Sequence, residues 1–197
     1  MKFNLDESYW TERYHQQHTG WDLGQLSPPI GHYIDQLTDK NLAILIPGSG
    51  NSYEAAYLYQ QGFHKVHIVD ISEAPLKAFK QRHPEFPESQ ILHNNFFSVK
   101  GRYDLIIEQT FLSALSPDLR PQYVDKILKL LMPGGKLVGL LFDDPLFDNH
   151  PPFGGSREEY LTLFGPHFKI RTFDTSFNSV RPRQDREFFM ILEKPNT

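Results

Sequence analysis

The sequence predicts an α/β fold in which a doubly wound, mostly parallel sheet of seven strands lies between two layers of helices. Short apolar runs alternate with helical patterns between residues 42 and 142, as in successive βα units. The first run, Leu42–Ile46, leads into the glycine turn Gly48-Ser49-Gly50, and the second run ends in Asp70. The last two extended runs follow each other without a helix between them, which predicts a hairpin and an antiparallel final strand.

Two helices precede the sheet and are predicted to form an N-terminal helical lid over residues 1–40. The segment Asp6–Gln17 has an amphipathic pattern. Ser27-Pro28 supplies an N-cap and a proline suited to the first turn of a second helix, which extends to Leu37. Residues 41–197 are predicted to be the α/β core of the same single domain, because a chain of 197 residues suits one domain and no linker interrupts it.

The elements of the core follow from apolar runs, caps and breakers. Gly62 ends one helix, Ser72 caps the next, and Pro133-Gly134-Gly135 turns the chain into the fifth strand. The predicted strands are Leu42–Ile46, Val66–Asp70, Gln90–His93, Tyr103–Glu108, Lys136–Phe142, Lys169–Thr175 and Arg186–Glu193. The predicted core helices are Tyr53–Gln61, a helix from Ser72 to about Arg82, Pro121–Leu131, and a helix that the capping box Ser156-x-x-Glu159 opens and Phe164 ends.

Residues 143–155 form a long segment that is rich in proline and glycine and has neither helical nor strand periodicity. A loop of this length inside a compact domain is usually functional. Its aspartates, Asp143, Asp144 and Asp148, have two interpretations: ligands of a magnesium ion after the sheet, or turn formers beside Pro145. The prediction is turn formation, with no metal site.

The composition limits the classes of partner. A formal net charge of −4 gives no general attraction to nucleic acid or anionic lipid. Arg181, Arg183 and Arg186 are therefore predicted to lie in a solvated loop, although an arginine there can also steer an anionic substrate. The absence of cysteine excludes disulfides, thiolate metal sites and cysteine nucleophiles. With no apolar run of signal-peptide or membrane-span length, we expect a cytoplasmic monomer that acts on a small molecule.

The glycine turn and Asp70 together predict a nucleoside site. Glycines at a helix start let the backbone approach a ligand, and a carboxylate about 20 residues farther on accepts hydrogen bonds from two ribose hydroxyls. A dinucleotide fingerprint needs a third glycine where this chain has Tyr53, so a pyrophosphate site is disfavoured. The remaining Gly-x-Gly suits S-adenosylmethionine (SAM), whose amino acid end passes over the turn. The alternative is an ordinary turn without a ligand.

Local motifs between residues 9 and 153 carry a resemblance to a known family. They are Tyr9-Trp10-x-x-x-Tyr14, Gly20-Trp21-Asp22-x-Gly24, Ile46-Pro47-Gly48-Ser49-Gly50, Asp70-Ile71-Ser72, Asn95-Phe96-Phe97, Thr110-Phe111-Leu112-x-Ala114-Leu115, Leu131-x-Pro133-Gly134-Gly135 and Pro151-Pro152-Phe153. This set resembles the class I SAM-dependent methyltransferases, and within them the thiopurine and halide/thiol methyltransferases. The resemblance implies a Rossmann-like methyltransferase domain.

Aromatic residues ahead of the sheet suit a cationic ligand. The protein's two tryptophans, Trp10 and Trp21, lie close to Tyr14 in the sequence, and Trp10 and Tyr14 share a helix face at i, i+4. An aromatic face attracts a desolvated cation by about 2 kcal/mol, and SAM carries a sulfonium. We therefore predict an aromatic wall over the cofactor, with a lid of ordinary core aromatics as the alternative.

The resemblance also implies roles for individual residues. Gly48 lies against the methionine moiety, Asp70 binds the ribose hydroxyls, and Asn95 with Phe96 flanks the adenine. The full cofactor set that it implies is Trp10, Tyr14, Trp21, Gly48, Gly50, Asp70, Ile71, Asn95, Phe96, Glu108 and Gln109. Trp21, Phe111 and Phe153 are implied to contact the methyl acceptor. Relatives commonly have Asp at position 95 and often Tyr at position 109.

The predicted reaction is a direct displacement that needs no general base when the acceptor is an anionic thiolate or halide. For a neutral thiol, the candidate bases are Glu108 and the histidines His15, His18 and His150, which are otherwise surface residues. Halide-methylating relatives have Tyr where this chain has Phe153, which favours S-methylation of an apolar or aromatic thiol over halide transfer. Alternatives from other classes are an NAD(P)-dependent oxidoreductase and a SAM-binding protein without turnover.

Overall fold

The computed structural model describes residues 4–196, so residues 1–3 and 197 of the predicted domain lie outside the described part. Within that part, seven strands form one sheet in the order β3-β2-β1-β4-β5-β7-β6. The strands are β1 (Ile44–Pro47), β2 (Val66–Asp70), β3 (Ile91–His93), β4 (Tyr103–Gln109), β5 (Leu131–Phe142), β6 (Lys169–Thr175) and β7 (Glu187–Glu193). β7 is antiparallel to both β5 and β6, whereas the other neighbouring strands are parallel. The predicted doubly wound sheet with an antiparallel final strand is confirmed.

The predicted helices are also present. They are α1 (Glu7–His15), α2 (Pro28–Asp35), α3 (Tyr53–Gln60), α4 (Glu73–Arg82), α5 (Arg120–Leu130) and α6 (Arg157–Phe164). Their ends lie within about two residues of the prediction, since caps, prolines and the helical period set them locally. Among residues 4–196, no helix is long and apolar enough to span a lipid bilayer.

The Pro-Gly-Gly motif has a different place from the one predicted. Residues 133–135 lie inside β5 and not before it, so the predicted turn is wrong. The pairing register of β4 with β5 shifts between Tyr103 and Leu105, opposite this motif. Gly134 has a φ of +73°, a left-handed conformation that glycine tolerates. The motif therefore produces an irregularity in the strand instead of starting it.

Helices cover both faces of the sheet. Leu45 of β1 packs in the layer of α5 and α6, whereas its neighbours Ile44 and Ile46 pack in the layer of α2, α3 and α4. All three side chains are fully buried. Because burial of one such side chain contributes about 1.5–3 kcal/mol, the central strands are held firmly from both sides. The loops at their carboxyl ends thus stand on a rigid scaffold.

The two N-terminal helices pack differently. α2 belongs to the core, because Ile30 and Ile34 are buried in the same layer as α3. No residue of α1 is buried. α1 lies on α4, where the hydroxyl oxygens of Thr11 and Ser72 are 2.9 Å apart. Of the two helices, it is therefore α1, with the loop after it, that covers the carboxyl ends of the strands.

The serine N-caps predicted for α2, α4 and α6 are only partly confirmed. Ser27 and Ser72 occupy the N-cap positions of α2 and α4, but neither hydroxyl accepts a capping hydrogen bond, so the prediction of capping is wrong there. The Ser72 hydroxyl instead faces Thr11 of the lid. Ser156 does cap α6, since its hydroxyl accepts from the Glu159 amide at 3.3 Å. This hydrogen bond is one of the two in a capping box, so that half of the predicted motif is confirmed.

Candidate active site

The glycine turn brings bare backbone to the carboxyl end of β1. Gly48 and Gly50 have φ values of +57° and +49°, which residues other than glycine rarely adopt. A Cβ atom on Gly48 would lie 2.1 Å from a ring carbon of Phe111. The predicted substrate residue Phe111 therefore packs directly on the turn, at a distance that only glycine permits.

A cavity of about 60 Å³ opens between this turn and the lid. Its lining is Trp21, Asp22, Leu23, Gln25, Ile46, Gly48, Ser49, Gly50, Asn51, Ser52, Tyr53, Glu54, Gln109 and Thr110. Ser52 and Thr110 both have a φ of +58°, and such strained conformations cluster at functional sites. The buried atoms Ser49 Oγ and Gln109 Oε1 have no hydrogen-bond partner within residues 4–196. The cavity is thus lined by polar groups that a ligand can satisfy.

Asp70 ties the second strand to the glycine turn. Its Oδ2 accepts from the Gly50 amide and its Oδ1 from the Ser72 amide, each at 2.9 Å. The side chain is 7% exposed. Burial raises the pKa of Asp70, and the hydrogen bonds from Ser72 and Gly50 act in the opposite direction. Because a carboxylate has about four acceptor positions, about two remain for a ligand.

The three predicted lid aromatics lie together, as expected. The ring of Trp21 makes edge-to-face contacts with Trp10 and Tyr14, with centroid distances of 5.5 and 5.8 Å. The Tyr14 hydroxyl lies close enough to Gly50 that a Cβ there would be 3.1 Å away. Burial and the nearby Asp70 carboxylate raise the pKa of Tyr14 strongly, so its hydroxyl stays neutral. The aromatic wall stands directly over the glycine turn.

Arg183 holds this wall in place, a role that sequence reasoning missed. Its guanidinium donates to the Trp21 carbonyl at 2.5 Å and to Glu187 at 3.1 Å. It also lies 5.1 Å from the centre of the Phe142 ring. Arg183 is only 7% exposed, so the prediction of a solvated loop is wrong for this residue. No local signal marks it, because its partner Trp21 is 162 residues away in the sequence.

The three aspartates of the 143–155 loop, weighed as metal ligands in the alternative interpretation, do not come together. Asp144 pairs with Arg186, whose Nε lies 2.7 Å from the carboxylate, while Asp143 and Asp148 are exposed. In the part of the chain that the structure describes, no group of three His, Asp or Glu side chains is placed to hold a metal ion. The loop itself is tied to the core by Arg120, whose guanidinium donates to the Gly154 carbonyl at 2.6 Å.

Several predicted cofactor residues lie away from the cavity. Asn95 is exposed and its Oδ1 accepts from the Phe97 amide at 2.9 Å, so its carbonyl caps a turn. Phe96 is buried against Phe111, with ring centres 5.3 Å apart. The Ile71 carbonyl lies 3.1 Å from a ring nitrogen of His93. The adenine contacts implied for these residues stay predictions.

Phe153 and the candidate bases also lie outside the cavity lining. Phe153 is 5% exposed, and its amide donates to the Ser113 carbonyl at 2.7 Å. His15 and His18 are exposed, and His150 stacks on Phe147 with ring centres 4.1 Å apart. The substrate contact implied for Phe153 stays a prediction.

Glu108 points into the core. Its side chain is fully buried, and its carboxyl oxygens accept from the Leu112 amide at 3.1 Å and the Tyr123 hydroxyl at 2.5 Å. The structure therefore does not bring this carboxyl to the cavity, although the next residue, Gln109, lines it. Glu108 supports the turn that carries Phe111.

The buried Glu108 predicts a pH-dependent stability. Burial raises its pKa from 4.5 to about 7, so the folded protein keeps the proton to a higher pH than the unfolded chain. The free energy of unfolding therefore falls as pH rises from about 4.5 to about 7. We expect Glu108→Gln to be about 3 kcal/mol more stable than the wild type at pH 8, and within about 1 kcal/mol of it at pH 5. Urea denaturation at both pH values measures this, and an equal difference at the two would contradict it.

Comparison with known proteins identifies the family. The model of the family described as Thiopurine S-methyltransferase (TPMT) matches residues 5–193. The chain belongs to the thiopurine S-methyltransferase family. As a member of this family it is a SAM-dependent methyltransferase, which confirms the resemblance and overturns the NAD(P)-dependent oxidoreductase and the SAM-binding protein without turnover.

Relatives of this thiopurine S-methyltransferase family member cover nearly its whole length. It is 30% identical to "Probable thiol methyltransferase 2" from Arabidopsis thaliana over 95% of this chain and 85% of that protein. It is 24% identical to "Thiocyanate methyltransferase 1" from Brassica oleracea over 93% and 83% of the two chains. Among solved structures, the Burkholderia thailandensis 1,6-didemethyltoxoflavin-N1-methyltransferase with bound S-adenosylhomocysteine shares the fold, with a TM-score of 0.77, 20% identity and coverage of 96% and 87%.

The residues present fit SAM, the cofactor of the family. Gly48 and Gly50 line the cavity and present bare backbone there, to which a ligand can come close. The orphaned atoms of Ser49 and Gln109 are acceptors that the amino group of the cofactor can satisfy. Asp70 retains acceptor positions for a diol, and the wall of Trp10, Tyr14 and Trp21 offers rings to a sulfonium.

Proposed function

We propose that the enzyme methylates the sulfur of a small apolar or aromatic thiol. The observation that carries this proposal is the charge around the cavity. Its lining contains the acids Asp22 and Glu54, and none of its described residues is Lys, Arg or His. Such a lining attracts a cation such as a sulfonium. Because it offers no fixed positive charge to any anionic acceptor, it favours an acceptor that gains affinity from apolar contacts, such as an aryl thiol, over a bare halide. Phe153, which lacks the tyrosine hydroxyl of halide-methylating relatives, supports the same preference, as does the 30% identity to the probable thiol methyltransferase from Arabidopsis thaliana.

The chemistry that SAM supplies is an activated methyl group on a positive sulfur, which a thiolate takes by direct displacement. The protein's task is to bind and orient the partners and to exclude water. Asp70 would hold the ribose end, and the turn at Gly48 would admit the amino acid end. Trp10 and Trp21 would offer their rings to the positive sulfur.

No residue of this chain needs to remove a proton in this proposal. His15 and His18 are exposed and do not line the cavity, and Glu108 is committed to Tyr123 and Leu112. The acceptor therefore enters as the thiolate. This favours thiols of low pKa, since a larger fraction of each is ionised at neutral pH.

A comparison of acceptors tests the proposal. Thiophenols, hydrosulfide and iodide are compared by kcat/KM at one fixed SAM concentration, with methylated product detected by mass spectrometry. We expect a thiophenol to exceed iodide by at least about tenfold, a difference of about 1.4 kcal/mol in transition-state binding. Iodide as the best acceptor would overturn the thiol assignment but leave the family unchanged.

The proposal retains the other assignments made from the sequence. These are a monomer in the cytoplasm and a single domain over residues 1–197 that acts on a small molecule. The length of 197 residues supports the single domain, and the net charge of −4 supports a small-molecule partner over nucleic acid.

A further inference from the structure

We propose that Asp22 binds the α-ammonium group of the amino acid part of SAM. This inference rests on the methyltransferase function and goes beyond it by giving a role to a residue of the lid. Asp22 follows Trp21 in the loop after α1, and both residues line the cavity beside the glycine turn. The lid therefore carries a carboxylate next to an aromatic ring of the cavity lining.

The Asp22 carboxylate is held from two sides. Its Oδ1 accepts from the Gly24 amide at 2.9 Å, within the lid loop. Its Oδ2 accepts from the side-chain amide of Asn51, the residue after the second turn glycine. The main-chain carbonyl of Asn51 accepts from the Arg82 guanidinium at 2.8 Å. Asp22 is thus positioned across the opening, between the lid and the turn.

The second acid of the cavity is less suited to a cation. Glu54 is 5% exposed, and burial raises its pKa, so its charged form is disfavoured. Its Oε1 accepts from the Ser27 amide at 3.3 Å. Asp22 is only partly buried, so its carboxylate retains contact with the opening of the cavity. Of the two acids, Asp22 is therefore the one placed to meet a ligand.

The surrounding acceptors match an ammonium group. Ser49 and Gln109 line the same cavity, and their buried Oγ and Oε1 atoms have no hydrogen-bond partner in the described chain. An ammonium has three N–H donors, enough for the Asp22 carboxylate and these two oxygens. A charge-assisted hydrogen bond of this kind is among the stronger ones in proteins.

Calorimetric binding of two ligands tests the inference. S-adenosylhomocysteine has the amino acid part, whereas 5′-methylthioadenosine has the adenosine and sulfur without it. We expect Asp22→Asn to weaken S-adenosylhomocysteine binding about 10- to 100-fold and to change 5′-methylthioadenosine binding less than about twofold. Equal weakening of the binding of both ligands, or of neither, would overturn the role. A carboxylate that only accepts a hydrogen bond from Asn51 cannot distinguish the two ligands.

Two control variants accompany Asp22→Asn. Asp70→Ala is expected to weaken both ligands, because each has a ribose. Asp35→Asn is expected to weaken neither, since Asp35 is exposed and accepts from the Tyr57 hydroxyl. If the wild type binds neither ligand, the assignment of the cofactor site itself is wrong. If the wild type binds both ligands and Asp22→Asn does not weaken one of them selectively, only the role of Asp22 is wrong.

A ligand-side experiment on the wild type avoids any folding defect of the variant. The S-adenosylhomocysteine analogue whose α-amino group is replaced by hydrogen is expected to bind about 10- to 100-fold more weakly than S-adenosylhomocysteine. In Asp22→Asn, the two compounds are expected to bind within about threefold of each other. An analogue that binds the wild type as tightly as S-adenosylhomocysteine would show that no ammonium contact exists.

Discussion

Asp70→Ala is expected to weaken the binding of S-adenosylhomocysteine tenfold or more. A bidentate contact between a carboxylate and a neutral diol contributes about 1.5–3 kcal/mol, which corresponds to roughly 10- to 150-fold in affinity. The variant also leaves the Gly50 and Ser72 amides without the acceptor that holds the glycine turn against β2. Both effects lower affinity, and isothermal titration calorimetry measures their sum.

A matched control separates ligand binding from loss of structure. Asp104 also accepts a backbone amide, that of Ala43 at 2.8 Å, but at the opposite, amino-terminal end of the strands. Asp104→Ala is therefore expected to lower thermal stability in the same way as Asp70→Ala without a change in cofactor affinity. Unchanged affinity in Asp70→Ala would mean that this carboxylate only joins the strand to the turn.

Arg183→Leu is expected to lower the free energy of unfolding by about 3–5 kcal/mol. The substitution removes the cation that pairs with Glu187. Glu187 is 2% exposed and would remain as a buried carboxylate that retains the hydrogen bond from the Ser179 hydroxyl at 2.7 Å but has lost its counterion. It also removes the donor to the Trp21 carbonyl, so the wall over the glycine turn loses an anchor. We expect a weaker affinity for S-adenosylhomocysteine to accompany the loss of stability.

The double variant Arg183→Leu/Glu187→Leu tests whether the unpaired Glu187 carboxylate causes the loss of stability. Replacing both members of a buried ion pair by apolar side chains is often close to neutral, so the double variant is expected to recover most of the lost stability. Arg171→Leu serves as the surface control, because Arg171 pairs with Glu193 at an exposed site and its loss is expected to change the free energy of unfolding little. Urea denaturation of the four proteins measures these differences. An Arg183→Leu variant no less stable than Arg171→Leu would contradict the anchoring role.

The lid shows how far local sequence signals extend. The spacing of Trp10 and Tyr14 predicts that both rings lie on one helix face, and the structure places Trp21 against both. The same pattern does not distinguish α1 from α2, although α1 covers the rim while Ile30 and Ile34 put α2 in the core. Helix formation is a local property, whereas the surface on which a helix packs depends on distant segments.

Local signals in the chain were enough to predict the order of helices and strands, the glycine turn, the position of Asp70 at the end of β2 and the grouping of the lid aromatics. Each depends on periodicity, on glycine conformation or on spacings of a few residues, which act within one short segment. Three placements became visible only in the folded protein: Glu108 turns into the core, Arg183 is buried against Trp21, and Asp22 accepts from Asn51. These placements require segments far apart in the chain to pack together, and the side chains then follow burial and the available partners instead of local pattern.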